Sequence, residues 1–198
     1  WIDKTHLLTP RSDDRSLGEG YRYLAGFMHH AIERAFHEKP NQPEFRNALS
    51  PFNKATIDNP DAIYFYAPID GYQYYKVEGK VAIANHWQGT PSENNLLKFP
   101  RYIIFEVTDG GLAGDTGDLA ELAPGVKQGF GVLDSSSLAF SDDGAFEILL
   151  GPQRPKNHTG NFIPTIKSSI NKDGESLEYS ARYISGRQLF YDWNHEEP

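Results

Sequence analysis

From Pro51 onward the chain never holds one periodicity for long. Short runs rich in Tyr, Phe, Ile and Val are cut every few residues by Gly, Pro, Asn or Asp. Runs of that length and composition are strands, and the residues between them are turns. They fall at 62–69, 74–83, 102–107, 130–133, 138–150 around a turn, and 177–184, with a last run at 188–193. Eighteen Gly and thirteen Pro in 198 residues give the turns their chemistry. The other pattern lies upstream, where Leu17, Tyr21, Leu24, Ala25, Met28, Ile32, Ala35 and Phe36 recur at helical spacing. Ser16 and Glu19 before them have capping-box spacing, and Pro40 ends the pattern. Gly18, Gly20 and Gly26 weaken this helix in isolation, so packing must hold it. The expected architecture is mainly β: an antiparallel sandwich or jelly-roll-like sheet pair with one N-terminal amphipathic helix over about 17–38. In domain terms, 1–50 is an N-terminal segment and 51–198 the sandwich.

Charge and composition narrow the partners. The formal net charge is −8 and no run of Lys or Arg stands out. Binding a phosphate backbone needs clustered cations, so nucleic acid is not an expected partner. No stretch approaches the roughly 20 apolar residues that span a bilayer, so no membrane insertion is expected. With no cysteine, disulfides and thiolate chemistry are excluded, while the cellular compartment stays open. The chain opens on Trp1 and closes on "NHEEP", which reads as a piece of a longer protein.

The stretch "DNPDAIYFYAPIDGYQYYKVEGK", residues 58–80, concentrates Tyr64, Tyr66, Tyr72, Tyr74 and Tyr75. Alternation puts Ile63, Phe65, Ala67 and Ile69 on one face of the first strand, and Tyr64, Tyr66 and Pro68 on the other. If the two runs form a hairpin, a three-residue loop 70–72 turns Tyr75 and Val77 to the apolar face, because a one-residue slip exchanges faces. Tyr64, Tyr66 and Tyr74 then share the second face. Those rings either form an aromatic platform for a sugar or another flat ligand, or are covered by a second sheet or the helix. Asn59 and Asp58 favour an Asx turn ahead of the strand, while the pair Asp58 and Asp61 could do acid–base work.

Other candidates are more scattered. His29, Glu33 and His37 share a helix face, but on the polar side of the stripe, where solvated side chains are ordinary. No H-E-x-x-H spacing accompanies them, and no metal site is assigned. His86 and Trp87 stand at a strand end, where sites are common. Arg187 and Asp192 flank the aromatics of "RQLFYDW", either as a ligand clamp or as a strand-end ion pair. The Ser141–Gly144 turn, "SDDG", is the clearest hairpin signal. Gly110, Gly111, Gly114 and Gly117 lack the Lys-Ser/Thr of a phosphate loop, and no G-x-S-x-G elbow occurs. No cofactor is indicated by any of these patterns.

Taken in order, "EGYRYL" (19–24), "DNPDAIY" (58–64), "YYKVEG" (74–79), "DDGAFEILL" (142–150), "TGNFIP" (159–164) and "RQLFYDWNHEEP" (187–198) resemble a mostly bacterial family, domain of unknown function 1214. The resemblance spans nearly the whole chain and implies a β-rich protein, usually longer than this one, with no established activity or cofactor to transfer. Phe162 stands where the family pattern leads us to expect Trp, and residues 85–100 depart from its short strand and turn. Two functional readings remain. One is a module binding a small or carbohydrate-like ligand through Tyr64, Tyr66, Tyr74, Trp87 and Arg187. The other is a hydrolase or lyase using Asp58, Asp61, His86 and Asp192. A structural role as a homo-oligomer subunit, or beside the remainder of a longer chain, is the third.

Overall fold

The computed structural model describes residues 13–55, 59–81, 100–110, 120, 123, 126–170 and 172–190. They form one helix, α1 (Asp14–His37), and ten strands: β1 (Arg46–Asn47), β2 (Ala62–Pro68), β3 (Tyr75–Lys80), β4 (Tyr102–Thr108), β5 (Gly129–Asp134), β6 (Ala145–Gly151), β7 (Asn161–Pro164), β8 (Ile166–Ile170), β9 (Ser176–Ser180) and β10 (Tyr183–Leu189). The larger sheet runs β1-β2-β10-β4-β5, the second β3-β6-β7, and β8-β9 form a two-stranded ribbon. The protein is thus mainly β, with sandwiched sheets and one N-terminal helix, as its punctuated sequence predicts.

The two larger sheets meet over one core. Ala67, Ile69, Phe105, Val107 and Ile184 come from the five-stranded sheet and its β2 end; Val77, Ile148, Leu150 and Ile163 come from the three-stranded one. The alternation read in β2 holds: Ala67 and Ile69 are buried there, with Phe65 packed against them. Nearly every pairing is antiparallel. The exception is β6–β7, which is parallel, with Ile148 beside Asn161 and Leu150 beside Ile163. Asn161 supports the crossing, donating from Nδ2 to the carbonyls of Ala139 and Glu147 at 2.9 Å and accepting from Ala139 N–H at 2.8 Å.

Two expectations are corrected. The runs 62–69 and 74–83 do not form a hairpin: β2 pairs with β1 and β10, whereas β3 pairs with β6 in the other sheet. Tyr75 and Val77 still face the core, because the 69–74 segment crosses between sheets and delivers β3 to the opposite wall. The "SDDG" turn is real, with Ser141 N–H to Ala145 O at 2.9 Å and Gly144 at φ +80°, but it leads into β6 without a strand before it. The helix begins earlier than the capping box implies: Asp13 is the N-cap, its Oδ1 accepting from Ser16 N–H at 2.8 Å.

The orientation of α1 is the larger surprise. Gly26 and His30 are its buried residues, so its polar and small side lies against the protein. Gly26 permits this approach: a Cβ there would come within 2.8 Å of the Lys54 side chain. Leu17, Tyr21, Leu24, Met28, Ile32 and Phe36, the apolar stripe, face outward. Periodicity reveals a stripe but not which side of it is covered.

Candidate functional site

The segment between β2 and β3 builds the most structured surface at one pole of the sandwich. Asp70 makes an Asx turn, its Oδ1 accepting from Tyr72 N–H at 3.0 Å, and its carbonyl accepts from Gln73 N–H at 2.9 Å. Tyr75 donates its hydroxyl to Pro40 O and accepts from Asp70 N–H, both at 2.9 Å, tying the loop to the chain that leaves α1. Thr165 Oγ1 donates to Gly71 O at 2.6 Å, and Tyr72 OH donates to Glu178 Oε1 at 3.0 Å. Three separate parts of the chain, at Pro40, Thr165 and Glu178, therefore hold the six-residue loop 69–74.

Tyr74 is the product of this bracing. It is 52% exposed, yet its hydroxyl donates to Gln153 O at 2.9 Å and one ring face lies on Gly151, where any Cβ would run into the ring. The ring forms one wall of a cleft of about 550 Å³, with Pro40, Asn41, Asp70, Gln73 and Tyr75 around it. A neighbouring hollow of about 290 Å³ shares Pro40 and Asp70 and reaches Glu38, Arg182 and Tyr183. A third, about 260 Å³ and largely apolar, opens between the sheets beside Phe45, Ile69 and Val77. Tyr75 lines both the first and the third.

A polar cluster lies under α1. Arg34 Nε donates to Glu38 Oε1 at 2.5 Å and its Nη2 to Tyr183 OH at 2.7 Å, while Tyr183 donates to Glu38 Oε2 at 2.6 Å. The Tyr183 phenol is pushed up to about 12, first by burial and then by its bond to Glu38. Tyr66 beside it is likewise raised to about 12, chiefly by burial. His30 sits edge-on to the Tyr66 ring with its Nδ1 buried and, among the described residues, unpartnered. Burial, aided by the positive charge of Arg34, holds its pKa below the ordinary value. Next to it His29 Nδ1 and Asn53 Oδ1 lie 2.5 Å apart, and Asn53 Nδ2 donates to Glu33. His29 and Glu33 are thus both tied to Asn53, although His29 remains exposed.

The structure divides the residues named from the sequence. Tyr66 is 6% exposed and packs with Ala48 and Tyr183, and half-buried Tyr64 joins the same cluster. Tyr74 belongs to the other sheet's approach, so the three rings form no single platform. Arg187 is exposed on β10 directly across from Tyr64. Asp61 lies at the turn before β2, its N–H bonded to Asn59 Oδ1 at 3.0 Å and its carbonyl accepting from Phe190 N–H at 2.9 Å. Asp58, His86, Trp87 and Asp192 lie outside the described residues. Asn41, Asp70, Gln73 and Tyr75 went unassigned, although the Asp-Gly turn amid tyrosines was the signal that could have found them. Among the described residues no group of His, Asp or Glu is arranged to hold a metal ion, and no helix is long and apolar enough to cross a membrane.

These features define a β-sandwich with a braced aromatic cleft at one pole. No protein-family model and no curated protein matches the chain. Among solved structures it is similar to a crystal structure of an uncharacterised protein from Burkholderia cenocepacia, with a TM-score of 0.65 and 25% sequence identity. The likeness covers 95% of this chain and 41% of that one, so the chain spans about two fifths of that protein's length.

Proposed function

We propose that this protein binds a small, neutral, carbohydrate-like ligand in the cleft walled by Tyr74. The single observation carrying this reading is that an aromatic ring stands half exposed and yet is immobilised on both its hydroxyl and one face. An exposed ring held this way offers a flat apolar surface without the entropy cost of ordering it on binding. Asn41, Asp70 and Gln73 around it supply the planar donors and acceptors that read hydroxyl groups. Asp70 in the wall, in a chain of net charge −8, disfavours an anionic ligand. Membership of the family labelled domain of unknown function 1214 is part of the same proposal and rests on the ordered segments quoted above.

Saturation-transfer NMR with a panel of neutral mono- and disaccharides tests the reading, followed by titration of any hit against Tyr74→Ala and Asp70→Asn. Tyr74→Ala should weaken binding at least about tenfold, or ~1.4 kcal/mol, with the melting temperature nearly unchanged because the ring is half exposed. Silence across the panel, or a hit indifferent to Tyr74→Ala, removes the cleft from consideration.

A further inference from the structure

The outer face of α1 carries six apolar positions along about 29 Å of helix, at 1.5 Å per residue. Met28 is 58% and Phe36 71% exposed, and contiguous exposure of this kind marks an interaction surface. Within this face, which also exposes Leu24 and Ala35, the positions Leu17, Tyr21, Ala25, Met28, Ile32 and Phe36 are spaced four, four, three, four and four residues apart, which reads the same in both directions. We infer that this stripe is a homodimer contact, in which α1 packs antiparallel against α1 of a second copy of this chain. A two-fold axis midway between Ala25 and Met28 sets Leu17 against Phe36, Tyr21 against Ile32, and Ala25 against Met28. That self-matching is what an isologous interface requires, since each contact must occur twice.

Charge favours the same arrangement. The first turn carries Asp14, and Lys39 follows the last turn, both exposed. The antiparallel pair brings Asp14 of each copy towards Lys39 of the other and opposes the two helix dipoles favourably, whereas a parallel pair would set Asp14 against Asp14. The stripe lies on the opposite side of α1 from Gly26 and His30, so pairing leaves the helix's seat on the protein untouched. With the six side chains partly exposed, covering them removes roughly 500 Å² per copy, below the ~800 Å² of a standard interface. The dimer is therefore a weak one, formed only as protein concentration rises.

Sedimentation velocity from low micromolar to several hundred micromolar tests this. The wild-type chain should shift from monomer to dimer, and Met28→Glu should raise Kd at least tenfold with an unchanged melting temperature. Asp14→Lys should weaken the dimer several-fold, and adding Lys39→Asp should restore it. Because the chain has no cysteine, a mixture of the Leu17→Cys and Phe36→Cys proteins should cross-link between copies under mild oxidation far more readily than either alone. A monomer at every concentration, a dimer indifferent to Met28→Glu, or equal cross-linking of Leu17→Cys with itself would each overturn the inference.

Discussion

Tyr183 donates its hydroxyl to Glu38 Oε2 at 2.6 Å, joining the start of β10 to the C-cap residue of α1. The Tyr183 hydroxyl also accepts from Arg34 Nη2 at 2.7 Å, and Arg34 lies over the Tyr183 ring, so one phenol organises both charges. Tyr183→Phe keeps the ring and removes both bonds, leaving two part-buried charges less well satisfied. It should cost about 2 kcal/mol, as expected for hydrogen bonds to charged groups. Urea unfolding followed by circular dichroism measures this, and a loss below a few tenths of a kcal/mol would show that the triad does not anchor the helix.

Tyr66 makes a sharp contrast with Tyr74. Buried against Ala48, Tyr183 and the His30 ring, it should cost about 3–5 kcal/mol when cut to Ala. The same change at Tyr74 should leave the urea midpoint nearly in place, since that ring is half exposed. Equal costs at the two positions would contradict the packing described here.

How far the sequence was legible differs between these tyrosines. The faces of β2 were readable because alternation is a local property: neighbours along a strand cannot help pointing opposite ways. What lay beyond reach was the partner. β2 pairs with β10 more than a hundred residues away, and nothing in residues 58–80 distinguishes that from a hairpin with β3. The side of α1 that is covered was hidden for the same reason, since His30, Arg34 and Glu38 become an inner face only once Tyr66 and Tyr183 stand beneath them. Strands β7 and β8 are hidden because each is short, with Pro164 ending the first and only Thr165 between them. The cleft combines residues from 40–41 and 70–75, so only the Tyr74 wall carried a signal in one stretch.

Acid should weaken the fold through His30. Its ring faces Arg34, Glu33, Glu38 and His29, and burial lowers its pKa from the ordinary 6.5. The unfolded chain therefore takes up a proton at a higher pH than the native one does. Stability is unaffected by this group above about pH 7 and falls as pH drops through the ordinary histidine range, where the unfolded state binds more protons than the native one. Thermal unfolding at about pH 7.5 and about pH 5.5 should show a smaller decline for His30→Phe than for the wild type. An identical decline in both proteins would assign the pH dependence to other groups.

Asn161 offers a test of the parallel pair. Its side chain makes three hydrogen bonds to the backbone of the 139 and 147 segments and is buried. Asn161→Ala leaves Ala139 N–H and two carbonyls without those partners, at a cost of about 2–4 kcal/mol. Hydrogen exchange should localise the loss, with protection falling at residues 147–151 and 161–164 before the β2–β10 ladder is affected. Uniform loss of protection would show that the two sheets open as a single unit.

The place of β10 sets the order in which the molecule can assemble. Last of the ten strands among the described residues, it lies in the middle of its sheet, hydrogen-bonded to β2 on one side and β4 on the other. Until it is made, β2 and β4 each present an unpaired ladder edge, the kind of surface that recruits strands from other molecules. A ribosome feeding out this chain from its N-terminal end therefore leaves two sticky edges open from the emergence of β4 until residues 183–189 follow, and one insertion closes both. Such long-range pairing is slow to form. Crowded expression, chaperone supply and translation speed should thus govern the yield of this protein more strongly than the stability of the finished fold.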